Sequence, residues 1–136
     1  MILVDTNVLS ELARRTPDPR VALWARGVTL PIAISVVTLD EIRFGLSWRP
    51  NPRIEAWFDD FLPANCEALP VTDDIAVRAG RLRGRLRADG CQRTQADMLI
   101  AATAQAHHLA LVTRNVRDFD GCGIALLDPF QSTPRQ

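Results

Sequence analysis

The order of apolar and polar runs in this chain predicts an α/β domain with a central, mostly parallel sheet of four or five strands, flanked on both faces by helices. Two observations carry that reading. Strand-like and helix-like segments alternate along the whole sequence. The strand candidates, such as Ile2-Leu3-Val4 and Ile32-Ala33-Ile34, are short continuous apolar runs, which belong to strands buried on both faces.

The first strand, Ile2 to Val4, meets Asp5-Thr6-Asn7, and Val8, Leu9 and Leu12 then take helical spacing up to Arg15. Asp18-Pro19 opens a second helix, with Asp as cap and Pro at the first position. It runs through Trp24 and stops near Gly27. Ile32 to Ser35 reads as the second strand. After a short loop, Thr38-Leu-Asp-Glu41 opens a third helix with Leu39, Ile42 and Leu46 on one face. Asn51-Pro52 opens a fourth, whose Ile54, Trp57, Phe58, Phe61 and Leu62 make an amphipathic stripe that Pro63 ends. A further strand is expected from Glu67 to Val71. Asp73-Asp74 puts negative charge at the start of a long helix with Ile75, Ala79, Leu82 and Leu86 as its core stripe and Gly90 at its close. Thr94 to His107 is an almost wholly apolar helix. Leu109 to Thr113 and Gly123 to Leu127 are the last strands.

The 136 residues suit one domain with one core, taken to span 1–130, with a loosely held tail from Pro129 that includes 131–136. No run approaches the ~18 apolar residues of a membrane span, and the N-terminus lacks the basic start of a signal peptide. Cys66, Cys91 and Cys122 are odd in number and scattered, so they read as reduced thiols of a cytoplasmic protein. Sixteen basic and sixteen acidic residues leave no formal net charge. Contact with nucleic acid must then be local rather than by bulk charge. Every basic residue is Arg. Without Lys, a P-loop nucleotidase and a Schiff-base enzyme are excluded.

Four acids stand where one element gives way to the next: Asp5, Glu41, Asp97 and Asp118. In open parallel sheets the ligand site lies at the carboxyl ends of the strands. Asp5 follows the first strand, Glu41 the second, and Asn115 and Asp118 the strand ending at Thr113. Asp97 lies in the buried helix, where a lone carboxylate needs a partner. Each acid also has a local reading. Thr38 with Glu41, and Thr94 with Asp97, fit capping boxes. Asp5 suits a cap, and Asp118 a turn. Taken together, four acids at one sheet edge repel unless a divalent cation holds them. Hard oxygen ligands select Mg2+, with Mn2+ a plausible substitute. Such an ion activates water against a phosphate.

The stretches Met-Ile-Leu-Val-Asp5-Thr-Asn-Val-Leu-Ser-Glu, Thr-Leu-Asp-Glu41-Ile-Arg-Phe-Gly, Ala-Asp97-Met-Leu-Ile-Ala-Ala-Thr-Ala and Leu-Val-Thr113-Arg-Asn115-Val-Arg-Asp118-Phe span almost the whole chain. In that order they resemble PIN-domain ribonuclease toxins of the VapC type, nearest the FitB-like branch. The resemblance implies a PIN-like three-layer sandwich. It implies a magnesium-dependent endoribonuclease, the toxin of a toxin-antitoxin pair, held inactive by a cognate antitoxin. Homodimers that meet DNA only through the antitoxin are implied too. Carried over by position, Asp5, Glu41 and Asp97 form the acidic triad, with Asp5 and Asp97 as metal ligands. Asp118 is the candidate fourth acid, because Asn115 carries no charge. Thr6 and Thr113 either orient the carboxylates or serve as ordinary cap and strand residues. Arg114 is a candidate phosphate contact.

Other features stay open. Arg78, Arg81 and Arg85 share a helix face that either tracks an RNA backbone or is solvated. His107-His108 fits a helix C-terminal turn. Trp24, Trp57 and Phe61 suit either core or a groove for a partner helix. A haloacid-dehalogenase-like phosphatase also begins with a strand and an Asp, but it wants a second Asp where this chain has Asn7, and a Lys. A non-catalytic RNA- or protein-binding module would not need the full acidic set.

Overall fold

The computed structural model describes residues 1–131. Its order is β1 (Ile2–Val4), α1 (Thr6–Leu12), α2 (Pro19–Gly27), β2 (Ile32–Ser35), α3 (Val36–Trp48), α4 (Pro52–Asn65), β3 (Cys66–Leu69), α5 (Asp73–Ala88), α6 (Gln95–His107), β4 (Ala110–Val112), a 3-10 turn (Val116–Phe119) and β5 (Leu126–Leu127). The strands form one sheet in the order β3-β2-β1-β4-β5. Every pairing is parallel, with Ile2 opposite Ile32 on one side of β1 and Ala110 on the other. The architecture is the expected α/β sandwich.

Successive strand residues point to opposite faces, and the two cores follow from that alternation. Leu3, Ala33 and Leu111 face α5 and α6, where Ile75, Leu82, Met98 and Phe119 pack on them. Val4, Ile34 and Val112 face the other way, onto Val8, Leu9, Val21, Ile42 and Phe58. Chain order runs outward from β1 through β2 to β3 on one side, while β4 and β5 fill the other. The order therefore reverses between β1 and β4. That crevice is where a doubly wound sheet opens a site at its carboxyl edge.

Several boundaries differ from expectation, each for a local reason. α1 stops at Leu12 rather than Arg15, because the Glu11 carboxylate turns back to accept from the Asp18 N–H at 2.7 Å. α3 begins at Val36 with no loop after β2. Its cap is Ser35, whose hydroxyl accepts from the Val37 N–H at 3.0 Å. Pro63 lies inside α4, which runs on to Asn65; only one interior hydrogen bond is lost so near the end. β3 spans Cys66–Leu69, and Thr72 caps α5. β5 is reduced to Leu126–Leu127 because Gly121 and Gly123 take positive φ in a turn.

The chain around Pro129 is not loose as expected. Phe130 is buried in the α1–α4 core, and its N–H donates to Asp128 Oδ1. Of the expected loose tail, residues 132–136 lie outside the described residues. The cysteines are free, and burial pushes the Cys66 thiol up to about 11. Among the described residues no helix is long and apolar enough to cross a membrane.

Candidate active site

Asp5 is the centre of the carboxyl-edge cluster. Its N–H donates to Val112 O at 2.9 Å, continuing the β1–β4 ladder one residue past the strand. Its side chain caps α1, with Oδ1 accepting from the Thr6 N–H at 2.8 Å. Oδ2 accepts from the Thr113 hydroxyl at 2.8 Å and from Asn7 Nδ2 at 3.2 Å. The residue is only 5% exposed. Burial raises its pKa above the usual carboxylate range. The Thr113, Thr6 and Asn7 bonds pull the other way, and the Glu41 charge adds to the rise.

Glu41 is brought in by α3. Thr38 does not cap that helix, so the capping box expected with Glu41 is absent. Instead the Thr6 hydroxyl donates to Glu41 Oε1 at 2.6 Å. It stands 3.1 Å from the buried Thr38 hydroxyl. With its one proton given to Glu41, Thr6 accepts from Thr38. Gly45, one turn beyond, has nothing within 4 Å of where a Cβ would stand.

Asp97 enters from the first turn of α6. Thr94 caps that helix, its hydroxyl accepting from the Asp97 N–H at 3.1 Å. Burial raises the Asp97 pKa first, followed by the Asp5 charge; Asp118 adds further, while Thr94 and Arg93 oppose. Asp97 thus feels Asp5 from the other end of the chain and Asp118 from the exposed 3-10 turn. Asn115 precedes that turn without a side-chain cap bond, and its N–H donates to Thr113 Oγ1 at 3.1 Å. Arg114 lays its guanidinium over the Phe130 ring, 4.6 Å from the centroid. Its N–H donates to Asn7 Oδ1.

Asp5 thus lies within electrostatic reach of Glu41, and Asp97 within reach of Asp5 and Asp118, while the Thr6 hydroxyl is bonded to Glu41 and that of Thr113 to Asp5. Asn7 and Thr38 were missed as members. Asn7 ties Asp5 to the Arg114 backbone, and its place two residues after Asp5 in a strand-to-helix turn was the available signal. Thr38 was hidden by its resemblance to a cap.

The donors suit a hard divalent cation. They are carboxylate oxygens, with Glu41 acting to raise the Asp5 pKa and Asp5 and Asp118 that of Asp97, and among the described residues none of the four enters an ion pair. No three acidic, His or Cys side chains among the described residues stand close enough to enclose an ion by themselves. Mg2+ in general needs only one or two carboxylates and takes the rest of its shell from water and phosphate. A cavity of about 700 Å3 lies elsewhere, between α2 and the segment after β5. It adjoins a smaller one of about 240 Å3, with Trp24 lining both and Phe61 the second. Trp57 stacks on Phe61 at 4.5 Å. These aromatics are partly core and, for Trp24 and Phe61, partly groove. His107 and His108 close α6, as expected of a C-terminal turn.

Residues 2–121 match the PIN domain family. The chain is 32% identical over 138 residues to VapC ribonuclease Y4jK of Sinorhizobium fredii, covering 96% of this chain and 99% of that one. The crystal structure of FitAcB from Neisseria gonorrhoeae superposes with a TM-score of 0.87 at 29% identity, covering 97% and 100%. A toxin-antitoxin complex from Klebsiella pneumoniae superposes at 0.71 with 27% identity, covering 97% and 100%.

Proposed function

Because this chain belongs to the PIN domain family, we propose that it is a VapC-type toxin, an endoribonuclease that hydrolyses RNA phosphodiester bonds with Mg2+, and that a cognate antitoxin holds it inactive. One observation carries the reading. Asp5, from the other end of the chain, raises the cost of ionising Asp97 as Glu41 raises that of Asp5, and neither Asp5 nor Asp97 meets a cation at ion-pair distance among the described residues. Such a cluster is stable in its charged form only with a counter-ion. The ribonuclease named above and the toxin-antitoxin complex that the fold matches support the same reading.

In this reading Asp5 and Asp97 hold the ion, and Mn2+ substitutes for Mg2+. When bound, the ion supplies positive charge against the attacked phosphate and makes water more acidic. Thr113 and Asn7 orient the Asp5 carboxylate. Thr6 holds Glu41 by Oε1, which leaves Oε2 to accept a proton from the attacking water. Asp118 adds negative charge on the Asp97 side and helps retain the cation. The N-terminus of α6 presents backbone N–H dipoles to the same place, which suits an anionic substrate. A cytoplasmic homodimer that meets DNA only through the antitoxin completes the reading, on the strength of the resemblance. The test is cleavage of RNA by purified protein with Mg2+, with chelator, and by Asp97→Asn. Equal cleavage in all three would remove the mechanism.

A further inference from the structure

Three arginines that the acidic site does not use ring a polar cavity of about 370 Å3. Arg83 and Arg87 come from α5 together with Gly80 and Gly84, and Arg93 with Gln92 from the segment before α6. Residues 80, 84 and 87 recur at helical spacing, so they share a face. The other face of α5, through Leu82 and Leu86, is in the core. Nothing stands within 4 Å of where a Cβ would sit on either glycine, and the trough is open. Among the described residues none of the three guanidiniums is in an ion pair, and no carboxylate lines the cavity. Arg78 on the same helix is different, since its Nε donates to Asp74.

Arg93 is held in place. Its Nη2 donates to Asp120 O at 3.1 Å. Its Nε is buried and meets no acceptor among the described residues. A buried donor without a partner is costly, and a negative charge near the guanidinium offsets part of that cost. Arg93 stands two residues before α6, whose first turn carries Asp97. The cavity therefore lies at the end of α6 that bears Asp97. In a chain with no net charge, phosphate attraction must be concentrated in a few such places.

We propose that this cavity binds a backbone phosphate of the RNA strand, outside the scissile bond, and thereby positions the strand over the acids. The guanidinium fork matches phosphate oxygens in geometry and charge. The identity of the strand rests on the ribonuclease reading; the preference for a phosphate does not. A carboxylate from a protein partner would satisfy the same donors. On the ribonuclease reading, the place at the end of α6 that bears Asp97 favours RNA.

The test is binding of a single-stranded RNA oligonucleotide across a salt series without divalent cation, so that no cleavage intervenes. Arg83→Gln/Arg87→Gln is expected to weaken binding about tenfold, and the slope of log affinity against log salt to become shallower by roughly 0.7 for one lost phosphate. Arg83→Lys/Arg87→Lys, which keeps the charge, is expected to restore the slope. Arg87→Gln alone, at an exposed position, gives the same direction should the pair lower stability. In a cleavage assay the Gln pair is expected to raise KM about tenfold with kcat unchanged. Wild-type affinity and slope in the Gln pair would overturn the proposal even if the protein cuts RNA. So would a Gln pair that loses affinity for the cognate antitoxin while its RNA binding is unaltered. An arginine-dependent slope in a protein that cuts no RNA would sustain the phosphate site and remove the ribonuclease reading.

Discussion

Thr113, just past β4, donates its hydroxyl to Oδ2 of Asp5, just past β1, across 2.8 Å. The two residues are 108 apart in sequence, yet they flank the crevice where strand order reverses. The bond closes the two central strands at their carboxyl ends. It also favours the ionised form of a carboxylate that burial would keep neutral.

Thr113→Val is expected to show which of these roles matters. The side chain keeps its shape and loses its donor. The Thr113 bond lowers the Asp5 pKa, so its loss raises it. On the ribonuclease reading, the acid limb of the pH–rate profile moves to higher pH, and kcat falls by roughly tenfold or more, as for other residues that orient metal ligands. Thr113→Ser should recover both. An acid limb that stays put would mean that the bond is structural only.

Asp5→Asn and Asp97→Asn are expected to trade activity for stability. Each removes a carboxylate that another acid opposes. Cleavage should fall by roughly a hundredfold or more. In chelator, Asp97→Asn should melt higher than wild type by about 2–4 °C, the shift of ~1 kcal/mol in a domain of this size, while Asp5→Asn should gain less, because its amide nitrogen cannot accept from Thr113 and Asn7. Mg2+ should raise the melting temperature of wild type and leave that of the variants nearly unchanged. Calorimetry with and without the ion decides it.

The sheet and its site edge were legible because their signals are local and repeated. Continuous apolar runs marked β1, β2 and β4, and each ended next to a polar residue aimed at one edge. Glu41 and Asp97 could be placed because both lie near the start of a helix. What escaped reading depended on competition between equivalent residues. Ser35 and Thr38 are both good caps, and only the packing of α3 against β2 decides for Ser35, leaving Thr38 for Thr6. Phe130 follows a proline in a polar tail, so its burial depends on a core assembled from α1 to α4. Asn7 looked like a missing second acid, while its work is to donate to Asp5.

Stability in the absence of metal should depend on pH through Asp5 and Asp97. Both have folded pKa values above the 3.8 of a free Asp carboxyl, chiefly through burial. A carboxyl with a raised folded pKa binds its proton more tightly in the native state. These two groups therefore favour the fold below pH 3.8. That contribution is lost as pH rises from 3.8 through their folded pKa values, and the ionised pair stays unfavourable above them. Urea midpoints measured in chelator should show this downward component in wild type and less of it in Asp97→Asn. Added Mg2+ should cancel it at neutral pH. Superimposable pH curves for wild type and variant would show that the two carboxyls do not repel.

Phe130→Ala tests whether the segment after β5 belongs to the core. Phe130 is 7% exposed and packs with the α1–α4 cluster, while its ring carries the Arg114 guanidinium. Truncating a buried Phe costs ~3–5 kcal/mol in a well-packed core, so about 3 kcal/mol is expected. The loss should appear as a lower urea midpoint with an unchanged slope. Arg114 would also be released beside Asn7, whose Oδ1 takes the Arg114 N–H and whose Nδ2 donates to Asp5. A moderate fall in cleavage should therefore accompany the loss of stability, and Phe130→Leu, which fills the core but offers no ring, should recover stability more fully than activity. Equal recovery of both by Leu would show that the Arg114–Phe130 stack contributes nothing to the site.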